Sequence, residues 1–158
     1  MISIIDDDVC AREATEAIIR SLGYALATYE SAEDFLGSEN INDTSCLITD
    51  VHMPGLNGVE LYQRLRTDGF AVPTIVVTGQ PDETMRREVQ AAGAVAFLSK
   101  PFGKQALLDC LKAASQIGKC RNRKTPRRGT GKSNIPSQSE NGSDNGIRRG
   151  RDDVRHKI

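Results

Sequence analysis

The sequence predicts an α/β domain over residues 1–117, a five-stranded parallel sheet wound on both faces by helices, followed by a disordered basic tail over residues 118–158. Three observations predict it. Short apolar, partly β-branched runs alternate with stretches whose apolar residues fall at helical spacing, as a doubly wound sheet requires. Several of the apolar runs end in residues that carry chemistry: Asp6-Asp7-Asp8, Asp50, Thr78 and Ser99-Lys100-Pro101. Composition breaks at Gly118: residues 1–117 hold 9 Lys plus Arg against 17 Asp plus Glu, and residues 118–158 hold 12 against 4, so the overall charge of zero hides an acidic domain and a basic tail.

The elements follow in order. Residues 2–5 form a first strand, and Ala14, Ala17, Ile18 and Leu22 then mark one side of a helix over 9–22 that Gly23 stops. A weaker strand over 25–29 precedes Ser31, read as a cap, with Glu33 and Asp34 favouring the positive end of a helix that leads into Phe35 and Leu36. The run 46–48 is the third strand and opens into the loop Val51-His52-Met53-Pro54-Gly55-Leu56-Asn57-Gly58. Val59, Leu61, Tyr62 and Leu65 give the helix 58–67, ended by Asp68-Gly69. A fourth strand over 74–77 is followed by a helix opening at Pro81-Asp82 and running to about Ala92. The fifth strand is expected over 94–98, and Ala106, Leu107, Cys110, Leu111 and Ala114 stripe a last helix over 103–117.

The tail has Cys120, Ile135, Ile147, Val154 and Ile158 as its apolar residues and no aromatic, too little to offset the entropy of ordering its backbone. Its cluster from Arg121 to Arg128 suits nucleic acid, anionic lipid or the acidic domain itself, although a solvated linker is the plainer reading. The segment Gly129-Thr130-Gly131-Lys132-Ser133 lacks the first glycine of a phosphate loop, since that position is Pro126. No apolar run is long enough for a membrane span, and acids begin at position 6, which argues against a secretory leader. Cys10, Cys46, Cys110 and Cys120 lack zinc spacing, so reduced thiols in the cytoplasm are expected.

If the apolar runs are neighbouring parallel strands, their carboxyl ends bring Asp6, Asp7, Asp50, Thr78 and Lys100 to one crevice. Carboxylates crowded beside an amine suit a hard cation and a phosphoryl group. Asp8, the third acid, stands either as a further ligand or as the cap of the first helix.

Four separated elements, in this order, carry a family resemblance: Ile4-Ile5-Asp6-Asp7-Asp8; Asp50-Val51-His52-Met53-Pro54 with Gly58; Val76-Val77-Thr78-Gly79; and Phe97-Leu98-Ser99-Lys100-Pro101-Phe102. Residues 1–117 resemble the receiver domain of two-component response regulators, in the FixJ-type subgroup. The resemblance implies that Asp50 is the phosphoacceptor and that Mg²⁺ is held by Asp6, Asp7, Asp50 and the backbone carbonyl of His52. It implies that Lys100 binds phosphoryl oxygens, that the Lys100–Pro101 bond is cis, and that Thr78 and Phe97 form a switch pair. It implies a sensor histidine kinase as phosphodonor and a possible homodimer through the face of the fourth helix, fifth strand and fifth helix. It implies no enzyme beyond Mg²⁺-dependent self-phosphorylation and autodephosphorylation. It implies that His52 and Gln80 occupy positions whose side chains govern the access of attacking water. A FixJ-type regulator continues into a helix-turn-helix domain, and residues 118–158 show no amphipathic helix that could form one. Two readings therefore stay open: a stand-alone signalling receiver, and a transcription-associated regulator, either a truncated FixJ type or one whose basic tail binds nucleic acid.

Overall fold

A computed structural model describes residues 1–121, with side chains through Ile117. The elements run β1 (Ile2–Ile5), α1 (Val9–Ser21), β2 (Leu26–Tyr29), α2 (Ala32–Leu36), a 3₁₀ turn (Glu39–Ile41), β3 (Cys46–Asp50), α3 (Gly58–Thr67), β4 (Thr74–Thr78), α4 (Glu83–Ala92), β5 (Ala96–Ser99) and α5 (Lys104–Arg121). All strand pairs are parallel and the sheet order is β2-β1-β3-β4-β5. The five-stranded, doubly wound sheet read from the sequence is the observed one.

Alternation along the strands explains their unbroken apolar runs. Ile4, Ile48 and Val77 point to one face, where Ile19 of α1 and Leu107, Leu111 and Ala114 of α5 cover them. Ile5 and Leu47 point to the other, under Phe35 of α2 and Leu61 and Leu65 of α3. Val76 meets Val89 of α4 and Val51 on that same side. A strand buried on both faces has no solvent side to mark with polar residues.

Helix starts are fixed by side chains. Asp8 accepts from the N–H groups of Cys10 and Ala11, Ser31 from Asp34, and Asp82 from Met85. Asn57 and Glu60 form a reciprocal capping box at α3. Asp8 is thus the cap of α1, one of the two roles left open above.

Several expected boundaries need correction. The fifth strand starts at Ala96 rather than 94; before it, Val95 donates to Thr74 O as the chain enters the sheet. The last helix starts at Lys104 rather than 103 and continues to Arg121, four residues past the expected end at 117. Gly118 fails to stop it because an interior glycine costs a helix only about 1 kcal/mol, and no proline follows until Pro126. The domain and tail boundary expected at 117/118 therefore falls inside a helix. The disordered character expected for the tail lies, from residue 122 on, outside the described residues.

Candidate functional site

The topology puts a crevice where chemistry can collect. From β1 the chain winds one way to β2 and, from β3, the other way through β4 and β5, so the connections diverge at the carboxyl ends of β1 and β3. Register places Ile5 beside Thr49 and Asp50 beside Val77, which brings the residues following β1, β3 and β4 to one edge. The crevice there is open, about 540 Å³, and is lined by Asp6, Asp7, Asp50, His52, Gln80 and Lys100 among others.

Asp6 is buried, and both its carboxylate oxygens are engaged. Oδ1 accepts from the Asp8 N–H at 3.0 Å and Oδ2 from Lys100 Nζ at 2.6 Å. Asp50, also buried, has Oδ1 3.2 Å from Lys100 Nζ. The amine is near enough to pair by charge, yet Asp50 Oδ1 is a buried oxygen without a hydrogen-bond donor. Burial raises the Asp50 carboxyl above its ordinary range; Lys100 opposes that, and Asp6 and Asp7 add to it. Burial works to lower Lys100, but the Asp6 hydrogen bond and the charges of Asp50 and Asp6 outweigh it and hold the ammonium above its ordinary range. Asp7 is exposed to solvent at the crevice.

Asp6, Asp7 and Asp50 each offer a carboxylate oxygen, and these atoms lie within 4.8 Å of one another. Two unit charges at 4 Å repel by about 4 kcal/mol at an effective dielectric of about 20. An orphaned buried oxygen and a cluster of hard oxygen donors, one of them open to water, fit a small divalent cation that keeps part of its hydration.

The remaining residues named from sequence are distributed as follows. Lys100 reaches Asp6 and Asp50, and the Lys100–Pro101 bond that follows it is cis. Thr78 ends β4 fully buried, its Oγ1 accepting the Gln80 N–H at 3.1 Å. Phe97 lies half-buried on β5 beside the Val51, Val76 and Val89 cluster, with the Arg86 guanidinium 5.5 Å from its ring centre. It is no part of the crevice lining. His52 lines both this crevice and a second open groove between α3 and α4.

Three supporting residues escaped the sequence reading. Arg12 of α1 donates to Asp6 O at 2.6 Å and to Glu30 Oε1 at 3.2 Å. Glu33 of α2 accepts the Leu56 N–H at 3.0 Å and so holds the loop after β3. Asn57 caps α3, and Asn-x-x-Glu ahead of an apolar run was its visible signal. Arg12 and Glu33 had none, because each acts on a loop distant in sequence or turned back across a helix.

The family described as response regulator receiver domain matches residues 2–112. The response regulator protein TodT of Pseudomonas putida is 34% identical over 140 residues, covering 89% of this chain and 62% of TodT. The transcriptional regulatory protein FixJ of Azorhizobium caulinodans is 36% identical over 113 residues, 72% of this chain and 54% of FixJ. The chain thus spans between half and two thirds of these relatives. Among solved structures, the crystal structure of FixJ-N is 34% identical with a TM-score of 0.66, covering 73% of this chain and 92% of that one. The response regulator StyR is also 34% identical, with a TM-score of 0.71, covering 77% and 62%. Among the described residues no helix is long and apolar enough to cross a membrane.

Proposed function

The chain belongs to the response-regulator receiver family of two-component signalling, and from that premise we propose that Asp50 accepts a phosphoryl group from a sensor histidine kinase. The observation that carries this is Asp50 itself: a buried, donor-less carboxylate oxygen beside Lys100, in a residue with a carboxylate oxygen within 4.8 Å of those of two further acids, at the switch point of a parallel sheet.

In the free protein Lys100 bridges Asp6 Oδ2 and Asp50 Oδ1 and so offsets the repulsion between them. Mg²⁺ held by Asp6, Asp7, Asp50 and the His52 carbonyl would neutralise the acids and bind the transferring oxygens. An Asp50 carboxylate oxygen attacks phosphorus in line as the P–N bond of a phosphohistidine breaks. The nitrogen keeps that electron pair, and Asp50 becomes an acyl phosphate. Lys100 then has a stronger anion to follow than Asp6, because the new group brings about −1.5 to −2 charges and more acceptor oxygens. Thr78 is one residue from Gly79 at the same edge; its hydroxyl, which accepts from Gln80 N–H, is free to rotate its own proton toward a phosphoryl oxygen. Phe97, half-buried on the neighbouring strand, would turn inward in answer to that movement. The output is a repacked face of α4, β5 and α5, available to a partner or to a second copy of the chain.

Intact-protein mass after incubation with acetyl phosphate tests this reading. A single Mg²⁺-dependent phosphoryl adduct, labile to hydroxylamine and lost in Asp50→Asn and Asp7→Ala, is expected. Incorporation into Asp50→Asn at the wild-type rate would sink the assignment.

One observation favours a second reading, a transcription-associated regulator. The TodT match covers 140 of 158 residues and so extends past α5 into the basic segment. A basic segment joined to a receiver suits nucleic-acid contact through phosphates, without base readout. Retention on duplex DNA that falls steeply with salt would support it; no retention at low salt would remove it.

A further inference from the structure

One largely buried cation, bonded to the main chain of the crevice residue Asp6, stands outside the chemistry assigned above. Arg12, on the first turns of α1, has a side chain only 11% exposed, while its partner Glu30 is 75% exposed. A guanidinium is rarely taken out of water unless its donors are used. Here one amine donates to the main-chain oxygen of Asp6 at 2.6 Å and the other reaches Glu30 Oε1 at 3.2 Å. Asp6 N–H meanwhile donates to Tyr29 O at 3.2 Å, the residue before Glu30. The peptide groups on both sides of Asp6 are therefore fixed to the end of β2, the second of them through Arg12. That second peptide is the one from which Asp7 hangs.

We propose that Arg12 is a positioning residue for the divalent cation: bridging Asp6 O and Glu30, it fixes the Asp6–Asp7 peptide so that the exposed Asp7 carboxylate is already oriented toward Asp50. The inference rests on the metal site proposed above. Asp6 has other anchors for its side chain, Lys100 and the Asp8 N–H, whereas the exposed Asp7 depends on the backbone beneath it. Without Arg12, ordering that backbone is left to the binding event, and affinity for the ion falls by the cost of doing so.

Charge and geometry make opposite demands, and this separates positioning from a general electrostatic effect. A fixed cation near a metal site repels the metal, so a residue acting by charge alone would weaken Mg²⁺ binding, and its removal would tighten it. A residue that positions Asp7 does the reverse. Lysine keeps the charge but, with one amine, cannot span Asp6 O and Glu30 as the planar fork does.

The test is a titration of the full chain with MgCl₂ followed by ¹⁵N amide shifts, for wild type, Arg12→Met and Arg12→Lys, with thermal melts on each. Arg12→Met is expected to weaken Mg²⁺ binding by about tenfold, the lower end of what loss of an outer partner costs a metal site. Arg12→Lys is expected to weaken it in the same direction by less. Equal or tighter binding by folded Arg12→Met would overturn the proposal. If Arg12→Met does not fold, Glu30→Ala decides at about 1 M KCl, where the screening length is about 3 Å. Weaker binding than wild type there supports the bridge, and equal binding overturns it. The wild-type titration is read first, because a wild type with no Mg²⁺-dependent shifts removes the metal site as well as the role of Arg12.

Discussion

At Asp50, burial raises the carboxyl above its ordinary value of 3.8, with Asp6 and Asp7 adding to the effect against Lys100. An acid whose folded pKa lies above its unfolded one favours the native state while protonated. That contribution is present in full below the unfolded value and is lost as pH rises through the folded one. At neutral pH the ionised Asp50 therefore costs the free protein stability, and Asp50→Asn, which cannot ionise, is expected to melt higher than wild type. The difference should shrink toward zero at about pH 3, below the unfolded carboxylate range. Melts from acid to neutral pH in the absence of divalent ions check this; a variant that melts lower at neutral pH contradicts it. Lys100 gives the complementary case. Lys100→Met leaves two buried carboxylates without their cation. Breaking a buried pair costs about 3–5 kcal/mol, and since the Lys100 side chain is 22% exposed, a loss of about 2 kcal/mol in urea unfolding is expected. In the Asp50→Asn background the loss should be smaller, because one of the two charges is already gone. A loss of equal size in both backgrounds would show that Lys100 and Asp50 are uncoupled. That Asp6, Asp50 and Lys100 share one crevice was readable because each ends or follows an apolar run, and a strand projects what ends it at the sheet edge. Arg12 was not readable: it stands between Ala11 and Glu13 with no motif around it, and its partner Glu30 is eighteen residues away. A contact that depends on how α1 lies across β1 and β2 leaves no spacing in the chain.

The start of α3 shows how an element is placed against the site. A Cβ added at Gly58 would collide with Asp50 O and approach Thr49 Oγ1 to 3.0 Å. Backbone, not a flexible side chain, is the obstacle, so Gly58→Ala must push α3 away from β3. A loss of about 1–3 kcal/mol is expected, as for other overpacked sites. Chemical-shift changes should centre on Asp50 and the loop to Gly58; a neutral substitution would mean that the approach is looser than the structure has it. Asn57→Ala removes the cap without such crowding and should cost about 1 kcal/mol with the site undisturbed. The cores of the helices were legible because period and punctuation agreed, as in α3, whose range was read to the residue. Ends were legible only where a side chain or glycine enforces them. Gly93 ends α4 in the left-handed conformation at φ +88°, whereas Gly118 has nothing to reverse the chain and lies inside α5.

For the whole molecule, the question is where the self-sufficient part of the chain ends. The described apolar clusters draw on residues from Ile2 to Ala114, with both sheet faces covered by that point. The acidic crevice is complete by Lys100. Among the described residues the core is closed by Ala114 and the acidic crevice by Lys100, while residues 118–158 carry the opposite net charge. A chain cut after Arg121 is therefore expected to melt within about 3 °C of the full chain, since removing groups outside the core shifts stability by about 0.5 kcal/mol or less. It should take up the Mg²⁺-dependent phosphoryl adduct at the full-length rate. Any retention on DNA should be lost with the cut, since retention by phosphate contacts follows the cations, each adding about −0.9 to the slope of log affinity against log salt. Retention that survived the cut would assign nucleic-acid contact to the receiver's own few cations, against its net charge. A cut chain that folds but is not phosphorylated would place part of the phosphotransfer machinery beyond α5, where neither the strand ends nor the acids predict any.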